Sequence, residues 1–230
     1  ALSLYWSYRE LQAERSMIQL ETLRFASSGA TIADEFVTAT EQVLMTVAET
    51  PAVTGRDRWL LNLLVKNLKP KFPYFLNLIV VDERGDPIAS TIDSPPGQGV
   101  SYADRQWFQE ISLTRRPVVS ELITGRLTGL AHVVIADPIR DRNDRFRGAV
   151  AAPIDLQGLQ KAFGRLMLPT DATIVVLDRR GTVLLRLPPK TDWMGRRVTD
   201  HALFQESTGS NRGFVEGPSL DGTDQLNAFA

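Results

Sequence analysis

One short stretch of the sequence combines a guanidinium group with two aromatic rings. Arg105, Trp107 and Phe108 follow Ser101 and Asp104, whose spacing is typical of a capping box and predicts a helix start. The three side chains then fall in the first two helical turns. Arginine offers a planar pair of donors to a carboxylate, and the rings offer apolar walls. The stretch suits a small anionic or zwitterionic ligand; the alternative is that the rings are core and Arg105 makes a structural ion pair.

The sequence offers few residues for other kinds of chemistry. It has no cysteine, which excludes disulfide bonds and thiol catalysis. Neither of its two histidines, His132 and His201, has a neighbour at metal-ligand spacing, and His132 lies in an apolar stretch that favours a core position. The patterns of phosphate loops, calcium loops and serine nucleophile elbows do not occur. We therefore expect no catalytic residues, no metal site and no cofactor.

The composition indicates an ordinary globular protein. The 230 residues are 43% hydrophobic and 23% charged with a formal net charge of -1, which fits one or two domains. Without a basic arm or surface, we expect no nucleic-acid partner. No apolar run reaches the roughly 18 to 20 residues that span a bilayer, and no signal peptide is recognisable. The apolar and aromatic start, Ala1 to Trp6, fits either the outer end of a membrane helix or a buried helix face.

A long helix is predicted for residues 1–49. Apolar residues recur there at intervals of seven: Leu4, Leu11, Ile18, Phe25, Ile32 and Ala39. The second seam position is mixed, so the pattern indicates an amphipathic helix rather than a regular coiled coil. Gly29 marks a weak point where a kink is expected. Either this helix packs on the following domain, or it forms a homodimer stalk through the stretch from Leu4 to Ile32.

After Pro51 the sequence predicts a second helix and then a sheet. The helix covers residues 57–68, with its apolar side made by Trp59, Leu60, Leu63, Leu64 and Leu68. Strands are predicted at 74–81, 88–91, 118–123, 130–139 and 148–155, with a loop at 94–99, a helix from Ser101 to Pro117 and a connecting helix at 156–168. This order favours an antiparallel sheet with helices on one side.

The sequence also contains an internal repeat. The stretch from Ile79 to Gly85 has its counterpart 96 positions later, from Val175 to Gly181. The same offset relates four further pairs: Asp104 and Asp200, Phe108 and Phe204, Gln109 and Gln205, and Glu110 and Glu206. Two separated motifs with one offset predict two copies of one unit, about 74–155 and 172–230. The second copy is shorter, and we expect it to be incomplete at its C-terminus. His201 takes the place of Arg105 there and is expected to line a vestigial pocket.

These features together resemble the double-Cache (PDC-type, PAS-like) sensor domains of bacterial transmembrane receptors. The matching stretches are Ile79 to Gly85, Ser101 to Glu110, Val118 to Arg126 and Val133 to Asp155. The resemblance implies an α+β fold in which a long N-terminal helix precedes two tandem Cache domains with antiparallel sheets. We assign residues 1–50 to the stalk, 51–160 to the membrane-distal domain with the ligand pocket, and 161–230 to the membrane-proximal domain.

The same resemblance implies a ligand site at the start of the Ser101 helix. Family members that bind amino acids carry Arg-x-Trp-Tyr, a later Tyr and a strand Asp; here those positions hold Phe108, Ile123 and Pro153. The departures remove groups that recognise an amine, so we expect an organic acid or other small anion, with an amino acid less favoured. The predicted ligand-binding residues are Tyr102, Arg105, Trp107, Phe108, Ser120 and Arg126.

The resemblance further implies that the parent protein is tethered to the bacterial inner membrane, with this region on the periplasmic side. The expected output is a sensor histidine kinase, or else a chemoreceptor tail or diguanylate cyclase. The region itself is expected to sense a ligand rather than to catalyse. The alternative is a structural module for dimerisation and coupling that holds no small molecule, which the missing Tyr and Asp would favour.

Overall fold

The computed structural model describes residues 2–93, 100–164, 168–169, 172–190 and 192–230. The predicted loop at 94–99, the end of the predicted helix at 156–168 and the side chain of Leu4 lie outside the described residues. The helices are α1 (Leu2–Ala48), α2 (Pro51–Thr54), α3 (Arg58–Leu68), α4 (Gln106–Thr114), α5 (Leu156–Phe163) and α6 (Ala202–Gly209). Helix α1 runs through Gly29 without a break, and the kink expected there stays a prediction.

The strands are short except for one long hairpin. They are β1 (Ile79–Asp82), β2 (Pro87–Ser90), β3 (Val118–Val119), β4 (Ile123–Thr124), β5 (Ala131–Arg140), β6 (Phe146–Ile154), β7 (Ile174–Leu177), β8 (Val183–Leu187), β9 (Gly213–Pro218) and β10 (Asp224–Phe229). The stretch predicted as one strand at 118–123 forms two, β3 and β4, which both pair with β5. The chain divides into two compact units: a first unit of residues 35–162 and a second unit of residues 1–34 with 163–230.

The first unit is built on an antiparallel sheet with the order β2-β1-β6-β5-β3, to which β4 adds through β5. Side chains alternate between the two faces of each strand. On one face, Val134 and Ala136 join Trp107, Phe108 and Ile111 of the α4 region in a buried cluster. Helix α4 therefore covers this face, and its N-terminal end lies where the cluster gives way to a cavity.

The other face of the first unit's sheet is also apolar, with one exception. Val133 and Ile135 are buried there, and Asp137, next in the same alternation, is only 6% exposed. Burial raises the pKa of Asp137 to about 6, and the nearby Glu41 and Glu49 act in the same direction, against Arg140. This face of the sheet thus carries a buried carboxylate that the other face lacks.

Helix α3 buries only part of the predicted apolar side. Leu61 and Val65 are fully buried, and Leu64 and Leu68 are partly buried. Trp59, Leu60 and Leu63 remain exposed. Asp57 caps the helix by accepting hydrogen bonds from the backbone N–H groups of Trp59 and Leu60. The prediction is therefore wrong for Trp59, Leu60 and Leu63, because positions 61 and 65 set the inner face.

The second unit contains two antiparallel pairs, β7 with β8 and β9 with β10, and helix α6. Val183, Trp193 and Val198 form its buried cluster. Beside it, Arg186 lies over the Trp193 ring at 5.1 Å and pairs with Asp221 at 3.1 Å. The charge of a cation that is only 8% exposed is thus matched by a carboxylate, and its guanidinium lies over a ring.

The 96-residue repeat is reproduced in the hydrogen bonds of the two units. Asp82 Oδ1 accepts from Arg84 and Asp86 N–H, and Asp178 Oδ1 accepts from Arg180 and Thr182 N–H. Both turns end in a glycine with positive φ, Gly85 at 84° and Gly181 at 70°. A Cβ on Gly85 would lie 2.6 Å from the Ala103 backbone nitrogen, so the turn requires glycine. The repeat prediction is confirmed at this level.

Candidate functional site

Helix α4 begins later than the sequence predicted. Its N-cap is Arg105, with φ −75° and ψ 131°, and no side chain caps the first turn. Ser101 Oγ accepts from Ala103 N–H at 3.4 Å instead. The turn is closed by the backbone: Arg105 N–H donates to the Tyr102 carbonyl at 2.9 Å, and the Arg105 carbonyl accepts from Phe108 and Gln109 N–H at 3.0 Å. The capping-box prediction is therefore wrong, and Arg105 precedes the helix rather than lying in it.

A cavity lies beside this helix start. Its volume is about 40 Å³. It lies between the sheet, the start of α4 and the turn at 125–128. The lining residues are Leu76, Asn77, Ile79, Ile92, Tyr102, Arg105, Trp107, Ile123, Gly125, Arg126, Leu127, Thr128, His132, Val134, Ala151 and Pro153. This space suits a small ligand.

Arg105 places a half-buried cation on this cavity. Its Nη2 donates to the Thr124 carbonyl at 3.1 Å. Within the part of the chain that the structure describes, no carboxylate lies within ion-pair distance of Arg105, although Asp104 and Glu121 were the nearest acids in sequence. Burial, and then the neighbouring Arg126 cation, lower the pKa of Arg105. Most of the guanidinium donors are therefore left for a partner in the cavity.

Arg126 lines the same cavity but already has partners. Its guanidinium donates to the Asp104 carboxylate and to the Ser101 carbonyl. The hydrogen bond from Arg126 is the main reason that the pKa of Asp104 is lowered. Arg126 therefore ties the 125–128 turn to the loop before α4, and it differs from Arg105 in having its charge matched by a carboxylate.

The aromatic residues divide between cavity and core. Tyr102 and Trp107 line the cavity with ring centroids 5.9 Å apart. Burial is the main cause of the raised pKa of Tyr102. Phe108 points into the core, where its ring meets Phe146 at 5.9 Å and closely faces Gly85. Ser120 also lies outside the lining, because its Oγ accepts from Val134 N–H at 2.8 Å and donates to the Glu121 carbonyl at 2.7 Å.

Of the six predicted site residues, the structure thus brings four together on the cavity, namely Tyr102, Arg105, Trp107 and Arg126. Ile123 and Pro153, the positions where the amino-acid-binding pattern is lost, also line it. His132 also lines the cavity, although the sequence predicted only a core position for it. The alternation of side chains in strand β5 could have indicated this position, because His132 shares a face with Val134.

His132 is a buried polar lining residue. It is 5% exposed, and its Nδ1 lies 3.0 Å from the Leu130 carbonyl. Burial lowers the pKa of His132, and the Arg105 cation adds to that effect. Asn77 is buried too, but its Oδ1 accepts from Thr91 N–H at 3.0 Å and holds the edge of the sheet. The described lining residues therefore include cationic and neutral polar groups and no carboxylate.

Comparisons with known proteins show the family of the chain. The family model described as Cache domain, of the double-Cache type, matches residues 10–230. A curated relative, Citrate (Re)-synthase of Syntrophus aciditrophicus (strain SB), is 25% identical over 161 residues, covering 66% of this chain and 24% of that protein. The chain thus spans about a quarter of the length of that relative.

Several solved structures share the fold. The extracellular domain of a protein described as a histidine kinase, mmHK1S-Z2, superposes with a TM-score of 0.68 at 16% identity, covering 90% of this chain and 89% of that one. The ligand-binding domain of the Pseudomonas fluorescens chemoreceptor CtaA with L-alanine gives 0.65 at 16% identity, covering 88% and 85%. That of Pseudomonas aeruginosa PAO1 chemoreceptor PctB with L-Arg gives 0.64 at 16% identity, covering 91% and 79%.

At such low identities the superpositions show the fold alone, and it is the fold that the sequence resemblance predicted. Among the described helices, none is both long and apolar enough to cross a membrane. The family match covers nearly the whole chain, including both copies of the repeat and the helix start at Arg105. The chain therefore belongs to the double-Cache family of sensor domains.

Proposed function

We propose that this chain is the extracytoplasmic sensing region of a membrane-bound receptor and that it binds a small organic anion through Arg105. The observation that carries the proposal is the half-buried Arg105 guanidinium, which faces a cavity and has no carboxylate partner among the described residues. Burying a cation without a counter-charge is costly, so an anionic ligand is its natural complement. Trp107 and Tyr102 supply the apolar walls.

The proposed place in the cell and the proposed output follow from the relatives. Solved structures with this fold include the extracellular domain of a protein described as a histidine kinase and the ligand-binding domains of chemoreceptors in complex with amino acids. We assign the chain to the periplasmic side of a bacterial inner membrane, with a sensor histidine kinase as the output and a chemoreceptor or diguanylate cyclase as the alternatives. Residues 1–50, 51–160 and 161–230 remain our proposed stalk, distal and proximal parts.

A second candidate is a coupling module without a ligand. The small volume of the cavity, about 40 Å³, favours it, because ligand pockets are commonly several hundred Å³. A thermal-shift screen of two- to four-carbon carboxylates and amino acids separates the two candidates. The sensor proposal predicts that carboxylates raise the melting temperature of the wild-type chain; no shift from any compound would favour the coupling module.

The proposal includes a homodimer through α1. Leu11 and Ile18 are 60% and 49% exposed in the single chain, at positions of the seven-residue pattern. Replacing both with Glu should weaken self-association by placing like charges on the contact face, as measured by sedimentation equilibrium. An isolated domain lacks membrane tethering, so concentrations up to the millimolar range are needed. Unchanged association of the double variant, from a wild-type chain shown to dimerise, would contradict the stalk.

A further inference from the structure

The hydrogen-bond partner of His132 fixes the proton on its ring. A carbonyl oxygen only accepts, so the 3.0 Å contact with Leu130 requires that Nδ1 donates. In the neutral ring the proton is then on Nδ1, and Nε2 carries a lone pair that accepts. Because burial favours the neutral ring, Nε2 is an acceptor at physiological pH.

Among the residues that the structure describes, this acceptor has no hydrogen-bond partner. Across the described residues, the contact with Leu130 is the one hydrogen bond that the His132 ring makes. The side chain is only 5% exposed and it lines the cavity, so the cavity is where a ligand can reach Nε2. A ligand that donates to Nε2 would pair an acceptor that the described residues leave without a hydrogen bond.

The position of the ring is also constrained. A Cβ on Gly125 would lie 2.8 Å from His132 Cε1 and 3.3 Å from Nδ1. Gly125 N–H in turn donates to the Leu130 carbonyl at 2.9 Å, the same carbonyl that receives the His132 proton. The turn and the ring therefore share one acceptor and pack closely, which holds Nε2 in one orientation.

The charges of the lining select the kind of donor. The described lining contains Arg105 and Arg126 and no carboxylate, so an ammonium group would meet repulsion without a counter-charge. A hydroxyl group donates equally well to an imidazole nitrogen and carries no charge. The cavity is small, so the hydroxyl has to be close to the carboxylate that Arg105 binds.

We propose that the cavity selects a small 2-hydroxy carboxylate, with its carboxylate on Arg105 and its hydroxyl donating to His132 Nε2. This rests on the proposed function and deepens it by naming the ligand class and a specificity residue that acts beside Arg105. His132 discriminates between acids that carry and lack the hydroxyl, whereas Arg105 is needed for both.

The test uses matched compounds that differ only at the second carbon: L-lactate, propionate and L-alanine, and likewise glycolate, acetate and glycine. Dissociation constants are measured by calorimetry at pH 7.5 with the wild-type chain. The proposal predicts that each hydroxy acid binds roughly tenfold more tightly than its deoxy partner, the effect of one satisfied buried hydrogen bond. Equal binding of lactate and propionate would overturn it, as would tightest binding of alanine.

Three variants test which residue causes the tighter binding of hydroxy acids. His132→Leu should bring the ratio of the two dissociation constants close to one, and His132→Gln, which keeps an acceptor, should retain part of it. Arg105→Ala should abolish binding of all the acids. A His132→Leu chain that folds and still prefers lactate tenfold would contradict the role of His132 alone. If no carboxylate binds the wild-type chain, the proposed function fails, and this inference fails with it.

Discussion

The two helix starts related by the 96-residue repeat have the same backbone and different side-chain roles. In the first unit Arg105 N–H bonds the Tyr102 carbonyl at 2.9 Å, and in the second His201 N–H bonds the Val198 carbonyl at 3.0 Å. The Arg105 side chain reaches the cavity, where its charge has no carboxylate partner among the described residues. The His201 ring instead caps its own helix: Nδ1 accepts from Leu203 N–H at 3.2 Å and Nε2 donates to the Pro218 carbonyl at 2.9 Å.

The comparison shows how one turn serves two purposes. The backbone bonds alone close it, so the residue at the N-cap position is free to vary. The long Arg105 side chain extends from this position into the cavity. The shorter His201 ring instead accepts a hydrogen bond from a backbone N–H group of the first helical turn. Both ring nitrogens of His201 have internal partners, which leaves none for the ligand of a vestigial pocket such as the sequence suggested.

We expect the largest loss of stability from a substitution at the first of the two helix starts. Trp107 is 3% exposed in the first unit's core, whereas Leu203, its counterpart by the repeat, is only partly buried. Trp107→Ala should lower the free energy of unfolding by about 3 to 5 kcal/mol because it leaves a large cavity. Leu203→Ala should cost clearly less. Urea unfolding followed by circular dichroism measures both, and equal losses would contradict the difference in packing.

A smaller effect concerns pH and belongs to the first unit. The folded pKa of Asp137 is raised to about 6, above the usual value of an unfolded aspartate, so its ionised form destabilises the fold. That cost is full above pH 6 and is relieved as the pH falls towards 4. Glu41, whose pKa burial also raises, acts in the same direction.

Asp137→Asn should therefore increase the free energy of unfolding by about 2 kcal/mol at pH 7.5 and have little effect at pH 4. Chemical denaturation at both pH values measures this difference. Asp93→Asn, at an exposed position of the same unit, is the matched control and should show no such pH dependence. A variant less stable than wild type at pH 7.5 would show that the carboxylate is satisfied in the fold.

We expect the smallest loss of stability from a substitution of His201, the N-cap of helix α6 in the second unit. His201→Ala removes the acceptor for Leu203 N–H and should destabilise the second unit by about 1 kcal/mol. His201→Asn, which keeps an acceptor at the N-cap, should recover most of the loss. Thermal unfolding of the two variants side by side checks this. A His201→Ala chain as stable as wild type would show that the hydrogen bond contributes nothing.

Much of the fold was predictable because it depends on local patterns. The alternation in β5 and β6 and the turn chemistry at Asp82 and Gly85 mark the first unit, and their recurrence at Asp178 marks the second. The helix start was not predictable in the same way. Ser101 and Asp104 satisfy the local spacing rule, but the Asp104 carboxylate is held by Arg126, 22 residues further along the chain.

The site was predicted only in part, because tertiary contacts also decide which side chains reach the cavity. The composition of the helix start pointed to Arg105 and Trp107, which both line the cavity. Ser120 and Phe108 have types that suit a ligand site, but tertiary contacts assign them to the sheet and the core. His132 was missed because its apolar neighbours in sequence suggested the core, whereas the bonded carbonyl of Leu130 leaves its other nitrogen unpartnered.

We propose that Arg105 binds the ligand and that His201, its counterpart in the second unit, does not. The most direct measurement is the melting temperature of wild type, Arg105→Ala and His201→Ala with and without L-lactate in large excess. A ligand at 100 times its dissociation constant stabilises a fold by about 2.7 kcal/mol. We expect a clear shift for wild type and His201→Ala and none for Arg105→Ala. An Arg105→Ala chain that responds to lactate as wild type does would contradict it.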